Sequence, residues 1–256
     1  GPGQNEIDFR YSDALTAADN AETFKWIVRT RAASNGIYAD FSPKPLENEA
    51  GSGFHINVSS SDQSKIPNII AGILKHAEEL TYYLNSTENS YNRLGECKAP
   101  KYICWGNQNR STMIRVPATK KTARLELRSA DPECNPYLAF TLIIYAAIDG
   151  IKNNLIPPAA VEENLFDSNN SNIAVLPDTL DCAKKIAEEC NNELAVFRAD
   201  LLMIQAQMSG WHNIFFCVQD IPIEASLIER MIRHNYKNHL AYVYIFAYDN
   251  RPEMIA

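Results

Sequence analysis

In the run RLELR, Arg124, Glu126 and Arg128 alternate with Leu125 and Leu127. Successive side chains of an extended strand point to opposite faces, so the leucines share one face and two cations bracket a carboxylate on the other. Standing alone, this is also the pattern of a solvated, ion-paired sheet face, and surface pairs of that kind contribute little. Its company argues for chemistry. Arg93, Arg110, Arg115 and Lys121 fall in the same stretch, at strand ends and in loops, and six cations gathered there in an acidic chain point to a pocket for anionic groups. The run FHINVSS alternates in the same way, with Phe54, Ile56 and Val58 on one face and His55, Asn57 and Ser59 on the other. Either this histidine faces water or it joins Glu126, because imidazole and carboxylate together suit a divalent ion if the two strands are neighbours. A carboxylate between two arginines titrates low and stays an anionic ligand. Glu6, in GQNE, is a third candidate ligand, although by itself it reads as a surface glutamate.

The elements that must position these groups are legible in the spacing of apolar residues. Between Ser12 and Ala33 they recur at three and four, with Gly36 beyond as a stop signal, which predicts a helix. The stretch SPKPLENEAGSG, with its prolines and glycines, predicts a loop feeding the FHINVSS strand. Lys65 to Leu84 returns to helical period along Ile66, Ile69, Ile70, Ile73, Leu74, Ala77 and Leu80, with His76 read as solvated. Three β-like runs follow, KYICWG, TMIRVP and ARLELRS, then a helix opened by Pro136 and another from about Leu180. Strands in local succession without regular βαβ spacing predict an α+β fold, a curved antiparallel sheet backed by helices. A linker-like stretch runs from Ser168 to Asp178, and residues 191–256 read as an atypical helical and aromatic tail.

Composition closes off other classes. The chain has 24 Lys plus Arg against 31 Asp plus Glu, a net charge of -7, which argues against a broad nucleic-acid surface. No apolar run approaches the ~20 residues of a membrane-spanning helix, so no membrane partner is expected. The six cysteines show no CxxC pair and are read as reduced thiols of a cytoplasmic protein. The start GPGQNEIDF carries no signal peptide and no initiator Met, and is read as the beginning of a fragment. There is no P-loop, GxGxxG, GxSxG or HExxH motif to support a Walker ATPase, a Rossmann enzyme, a serine hydrolase or a zincin.

Taken in order, GPGQNEIDF, SPKP, GSGFHINVS, NSYNRL, NRSTMIRVP, RLELRSADPECNPYLAF and DGIKN resemble the catalytic domain of bacterial type I glutamine synthetase, from residue 1 to about residue 160 and fading near residue 190. The resemblance implies an ATP-dependent ligase that joins glutamate and ammonia through a γ-glutamyl phosphate, with two divalent ions, Mg2+ or Mn2+, per site. It also implies a cytoplasmic homo-oligomer, a dodecamer of two stacked hexameric rings. By position, Glu6, His55 and Glu126 match metal ligands. Gly51, Arg93 and Arg128 match residues that hold glutamate, and Arg110 and Arg115 match arginines facing the transferred phosphate. Tyr11, Asn57, Ser59, Lys121 and Arg124 match positions associated with the nucleotide. Phosphoryl transfer asks for such metals and guanidinium groups rather than a covalent nucleophile, so the two readings agree.

Departures from the pattern matter as much. Lys98 in ECKAP stands where the family has the flap glutamate that handles ammonium, and Ala50 replaces the asparagine of the NGSG turn. The family's N-terminal domain and the ExE and HHE metal segments have no counterpart in these residues. The reading is therefore an incomplete catalytic domain, residues 1–190, without biosynthetic activity by itself. Two rivals are a ligase joining glutamate to another amine, and a catalytically dead, nucleotide-binding regulatory homologue.

Overall fold

A computed structural model of the chain describes residues 1–118, 123–166 and 170–190. The chain divides into two units, Gly1–Ala195 and Val196–Ala256, and every described residue lies in the first. The expected helical and aromatic tail thus lies outside the described residues, as does the Ser168 end of the expected linker.

Helix α1, Ala14–Ser34, starts where the periodicity places it, with the Asp13 carboxylate accepting from Thr16 N. It buries only Ala18, Ala21 and Ala32. Longer-range bonds fix it: Tyr137 Oη donates to Asp19 at 2.7 Å, and Lys25 Nζ donates to the Pro132 carbonyl at 3.1 Å. An edge-to-face series, Phe9 on Phe24 at 5.4 Å and Phe24 on Phe41 at 6.1 Å, ties the N-terminal segment to this helix.

The sheet has four strands, β1 (Ile56–Ser59), β2 (Trp105–Asn107), β3 (Ile114–Val116) and β4 (Arg124–Leu127), in the order β1-β4-β3-β2. β4 pairs antiparallel with both β1 and β3, aligning Asn57 and Arg115 on either side of Glu126. β2 runs parallel to β3, so the sheet is mixed rather than wholly antiparallel. Period-two alternation carries no strand direction. Here the loop between them, with Gln108 at φ 56° and Thr112 Oγ bonded to both Asn109 O and Ile114 O, turns the chain back alongside itself. Ile114, Leu125 and Leu127 project from the apolar face and are fully buried.

Behind that face lie α2 (Ile66–Lys75), which touches β4, and α5 (Pro136–Lys152), packed along α2. Their approach is set by two glycines. A Cβ on Gly72 would strike the Ala146 carbonyl, and one on Gly150 would sit 2.9 Å from Gly72 Cα. α5 begins at Pro136 as expected, capped by Asn135 Oδ1, which accepts from Tyr137 N and Leu138 N.

The helix expected over Lys65 to Leu84 is instead two, α2 and α3 (Ala77–Leu84), meeting at His76. His76 is not solvated but buried, at 3% exposure, with ring nitrogens on Glu79 and Asp149. Asp149 is 73 residues away in the chain, a partner that local periodicity cannot reveal. The short α4 (Glu88–Tyr91) is closed by a capping box between Thr87 and Ser90, and α6 (Leu180–Glu189) packs on α3. Among the described residues no helix is long and apolar enough to cross a membrane, and the described cysteines are free thiols.

Candidate functional site

The polar face of the sheet gathers three of the anticipated side chains on the carboxylate of a fourth. Glu126 accepts from Arg115 Nη1 at 2.6 Å on one oxygen, and from Arg128 Nη1 at 2.9 Å on the other. His55, immediately before β1, brings Nδ1 to 3.0 Å from that second oxygen. Strand register accounts for this: Arg115 lies directly opposite Glu126, while His55 reaches it diagonally past Asn57. The carboxylate is only 7% exposed. Burial pushes its pKa up, but the bonds from His55 and Arg115 and the Arg128 charge outweigh that and hold it at about 2. Glu126 is therefore ionised throughout the physiological range.

The guanidiniums are not saturated by this pairing. The Nε atoms of Arg115 and Arg128 are buried, and among the described residues neither has a hydrogen-bond partner. A buried unpaired donor costs roughly 1–3 kcal/mol, so two of them beside one carboxylate mark where a further acceptor belongs. Arg128 is lowered from its usual pKa chiefly by burial, with the positive charges of Arg115 and Arg110 acting in the same direction against Glu126. The exposed Arg110 thus belongs to the same electrostatic neighbourhood.

A second layer holds Arg128 in place. Arg93, at 3% exposure, donates Nη1 to the Ser129 carbonyl at 2.8 Å and Nη2 to the Arg128 carbonyl at 3.1 Å. Burial lowers its pKa to about 10, opposed by the nearby Asp131 charge. Its side chain also roofs the glycine turn: a Cβ on Gly51 would meet Arg93 Cγ at 2.9 Å, and one on Gly53 would meet Nη2 at 2.8 Å. At Gly51 the Pro43 carbonyl stands closer still to such a Cβ, so backbone as well as Arg93 leaves room only for glycine at the start of GSG. Gly51 offers its carbonyl to Gln4 Nε2 at 3.0 Å, and Ser52 N is tied to the Pro43 carbonyl.

Asp131, Asn85 and Gln4 escaped the reading of the residues. Asp131 is fully buried, receives Glu133 N at 2.9 Å, and binds through its own N–H to the Leu84 carbonyl. With its amide oriented to satisfy both ends, Asn85 donates to Ser129 O at 2.8 Å and to Asp131 Oδ2 at 3.1 Å. Burial pushes the Asp131 carboxyl above its usual range against bonds from Ser90 and Glu133 and the Arg93 charge. The Asp-Pro pair reads as a turn in sequence, and nothing local reveals that its carboxyl faces Arg93.

The other anticipated residues are dispersed. Asn57 and Arg124 are exposed on the strands, and Ser59, half-buried, pairs across the sheet with Arg124. Tyr11 is 87% exposed, Glu6 is exposed in the N-terminal segment, and Lys121 lies outside the described residues. Lys98 is exposed in a turn closed by the bond from Gly95 N to Pro100 O.

For a divalent ion the fit is incomplete. His55 and Glu126 provide two convergent donors, yet among the described residues no group of three or more His, Cys, Asp or Glu gathers as a metal shell. The described residues do not by themselves build a metal centre. They do fit an anion, through the two unpaired Nε donors.

A family model, "Glutamine synthetase, catalytic domain", matches residues 1–208. A glutamine synthetase of Pyrococcus furiosus is 46% identical over 181 residues, 65% of this chain and 41% of the relative. One from Clostridium saccharobutylicum is 42% identical over 215 residues, 75% of this chain and 48% of the relative. The chain thus spans about half the length of the curated relatives it matches. Among solved structures, "GmaS/ADP complex-Conformation 1" superposes with a TM-score of 0.67 at 27% identity, covering 80% of this chain and 54% of that one.

Proposed function

This chain belongs to the glutamine synthetase catalytic-domain family, and from that premise we propose that it carries part of the site of an ATP-dependent ligase joining ammonia to glutamate through a γ-glutamyl phosphate. The family is ATP-dependent and uses divalent metals. One observation carries the reading for this chain: the buried, unpartnered Nε donors of Arg115 and Arg128 flank a single ionised carboxylate on one sheet face.

In this reading Arg128 and the Gly51 backbone hold glutamate, with Arg93 behind them. Arg115 and Arg110 take the oxygens of the phosphoryl group as it passes from ATP to the glutamate side-chain carboxylate, and Glu126 keeps the Arg115 and Arg128 guanidiniums aimed. Fixed guanidiniums stabilise transferring charge without reorganising, which is where such catalysis gains most. Tyr11, Asn57, Ser59, Lys121 and Arg124 are assigned to the nucleotide, and Glu6, His55 and Glu126 to Mg2+ or Mn2+. When bound, these ions supply charge neutralisation on the phosphates. The working assembly is a cytoplasmic homo-oligomer, a dodecamer on the family pattern, with further ligands outside the described residues.

Calorimetry on the purified chain tests this. Glutamate and ATP are expected to bind, with Arg128→Lys weakening glutamate about tenfold, since lysine keeps the charge but loses the planar fork. Absence of both interactions overturns the ligase reading. γ-Glutamyl hydroxamate is not expected from the chain alone, and its formation, abolished by a chelator, overturns the partial-site reading. The exposed Lys98 favours a second reading, ligation of an amine other than ammonia. ATP turnover across a panel of amines, faster with an alkylamine than with ammonia, supports it.

A further inference from the structure

We propose that His76 is a pH-sensitive latch: as an imidazolium gripped by Glu79 and Asp149 it closes the α2–α3 corner onto α5, and release of one ring proton to solvent opens that corner. With both carboxylates ionised, the two contacts match the doubly protonated ring. Nδ1 faces Glu79 Oε1 and Nε2 lies 2.9 Å from Asp149 Oδ2. A neutral imidazole has one N–H and one lone pair, so one of these contacts would set a lone pair against a carboxylate. Only the cation donates on both sides.

The groups facing the ring come from three helices. Glu79 lies on α3 and Asp149 on α5, while Lys75 at the end of α2 holds the same Asp149 oxygen at 2.8 Å. The other Asp149 oxygen receives Asn153 Nδ2 at 2.7 Å. Among the described residues two cations and two carboxylates meet here, at a site where the imidazole is 3% and Glu79 7% exposed, and that pairing supports charge there. Burial by itself lowers the imidazole pKa, but the two carboxylates prevail and raise it.

The position makes this a hinge. His76 caps α2 with its N–H on Gly72 O, and starts α3 by accepting Leu80 N. Asp149 adjoins Gly150, the closest point of the α2–α5 crossing. Removing the proton leaves the buried Glu79 and the half-buried Asp149 facing a ring with only one donor, at the corner where three helices meet. At its other end, α3 holds Asp131 N on the Leu84 carbonyl, behind Arg93.

The test is nitrogen NMR of the histidine rings in the whole chain between about pH 5 and 10, with amide hydrogen exchange over the same range. At neutral pH the His76 ring is expected to carry protons on both nitrogens and to titrate above an ordinary imidazole. Amides from Leu74 to Leu80, corrected for intrinsic exchange, are expected to exchange about tenfold faster above that midpoint. Asp149→Asn is expected to move the midpoint down. A singly protonated ring at neutral pH, or protection unchanged through the midpoint, overturns the latch. Both readouts come from the unaltered chain, so they stand even if the variant does not fold.

Discussion

Two buried networks of histidine, carboxylate and cation sit on opposite sides of the same core, and they differ in what they leave open. Around Glu126, His55, Arg115 and Arg128 converge on one carboxylate and leave two guanidinium Nε donors without acceptors. Around His76, two carboxylates and two cations meet among the described residues, and no buried atom of His76, Glu79, Asp149 or Lys75 stands there among the unsatisfied ones. The first keeps guanidinium donors unspent, which is the feature the proposed anion site rests on. The second is balanced and is built to hold helices together. The contrast lies in unspent hydrogen-bonding capacity, although each combines a histidine with carboxylate and cation.

Removing the central carboxylate breaks the open network hardest. Glu126→Ala is expected to cost roughly 3–5 kcal/mol in urea unfolding, because the buried Arg128 and the half-buried Arg115 lose the carboxylate that pairs them. A loss under 1 kcal/mol would mean that solvent already reaches them. Acid separates the two networks next. Glu126 has a folded pKa of about 2, below an unfolded carboxyl, so its stabilisation is present above about pH 4.3 and is lost as pH falls through about 2. Glu126→Gln is expected to flatten that acid limb of the melting temperature.

His76 runs in the opposite sense. Its folded pKa is raised, so its contribution is complete below about pH 6.5 and disappears as pH climbs through the folded value. The melting-temperature difference between the unaltered chain and His76→Gln is expected to shrink toward alkaline pH. If it is constant with pH, the closed network is held by shape alone. The smallest effect distinguishes opening from closure directly. Arg115→Lys removes the unpaired Nε and is expected to change stability by less than about 1 kcal/mol while weakening binding of ATP. Loss of stability without loss of binding would mean that Arg115 belongs to the scaffold.

Much of this molecule is legible without coordinates because its signals are local. Leu125 and Leu127 set the buried face of β4 and thereby turn Glu126 and Arg128 the other way, and Asn135–Pro136 starts α5. The misreading of His76 and the silence over Asp131 share one cause: each owes its burial to a segment distant in the chain, Asp149 for the first, and Leu84, Asn85 and Arg93 for the second. Arg93 stands between these cases. Its motif singles it out, but its grip on the Arg128 and Ser129 carbonyls belongs to the folded chain.

Alternation, capping and turn chemistry act over a few residues, and the sequence by itself therefore determined the helices, the two-faced strands and the family to which they belong. Register, the parallel β2–β3 pair, the break between α2 and α3, and the choice of which charges are closed off and which stay open were decided by tertiary contacts. Those depend on Coulomb and desolvation energies between groups tens of residues apart, and such energies have no value until the chain has brought the groups together.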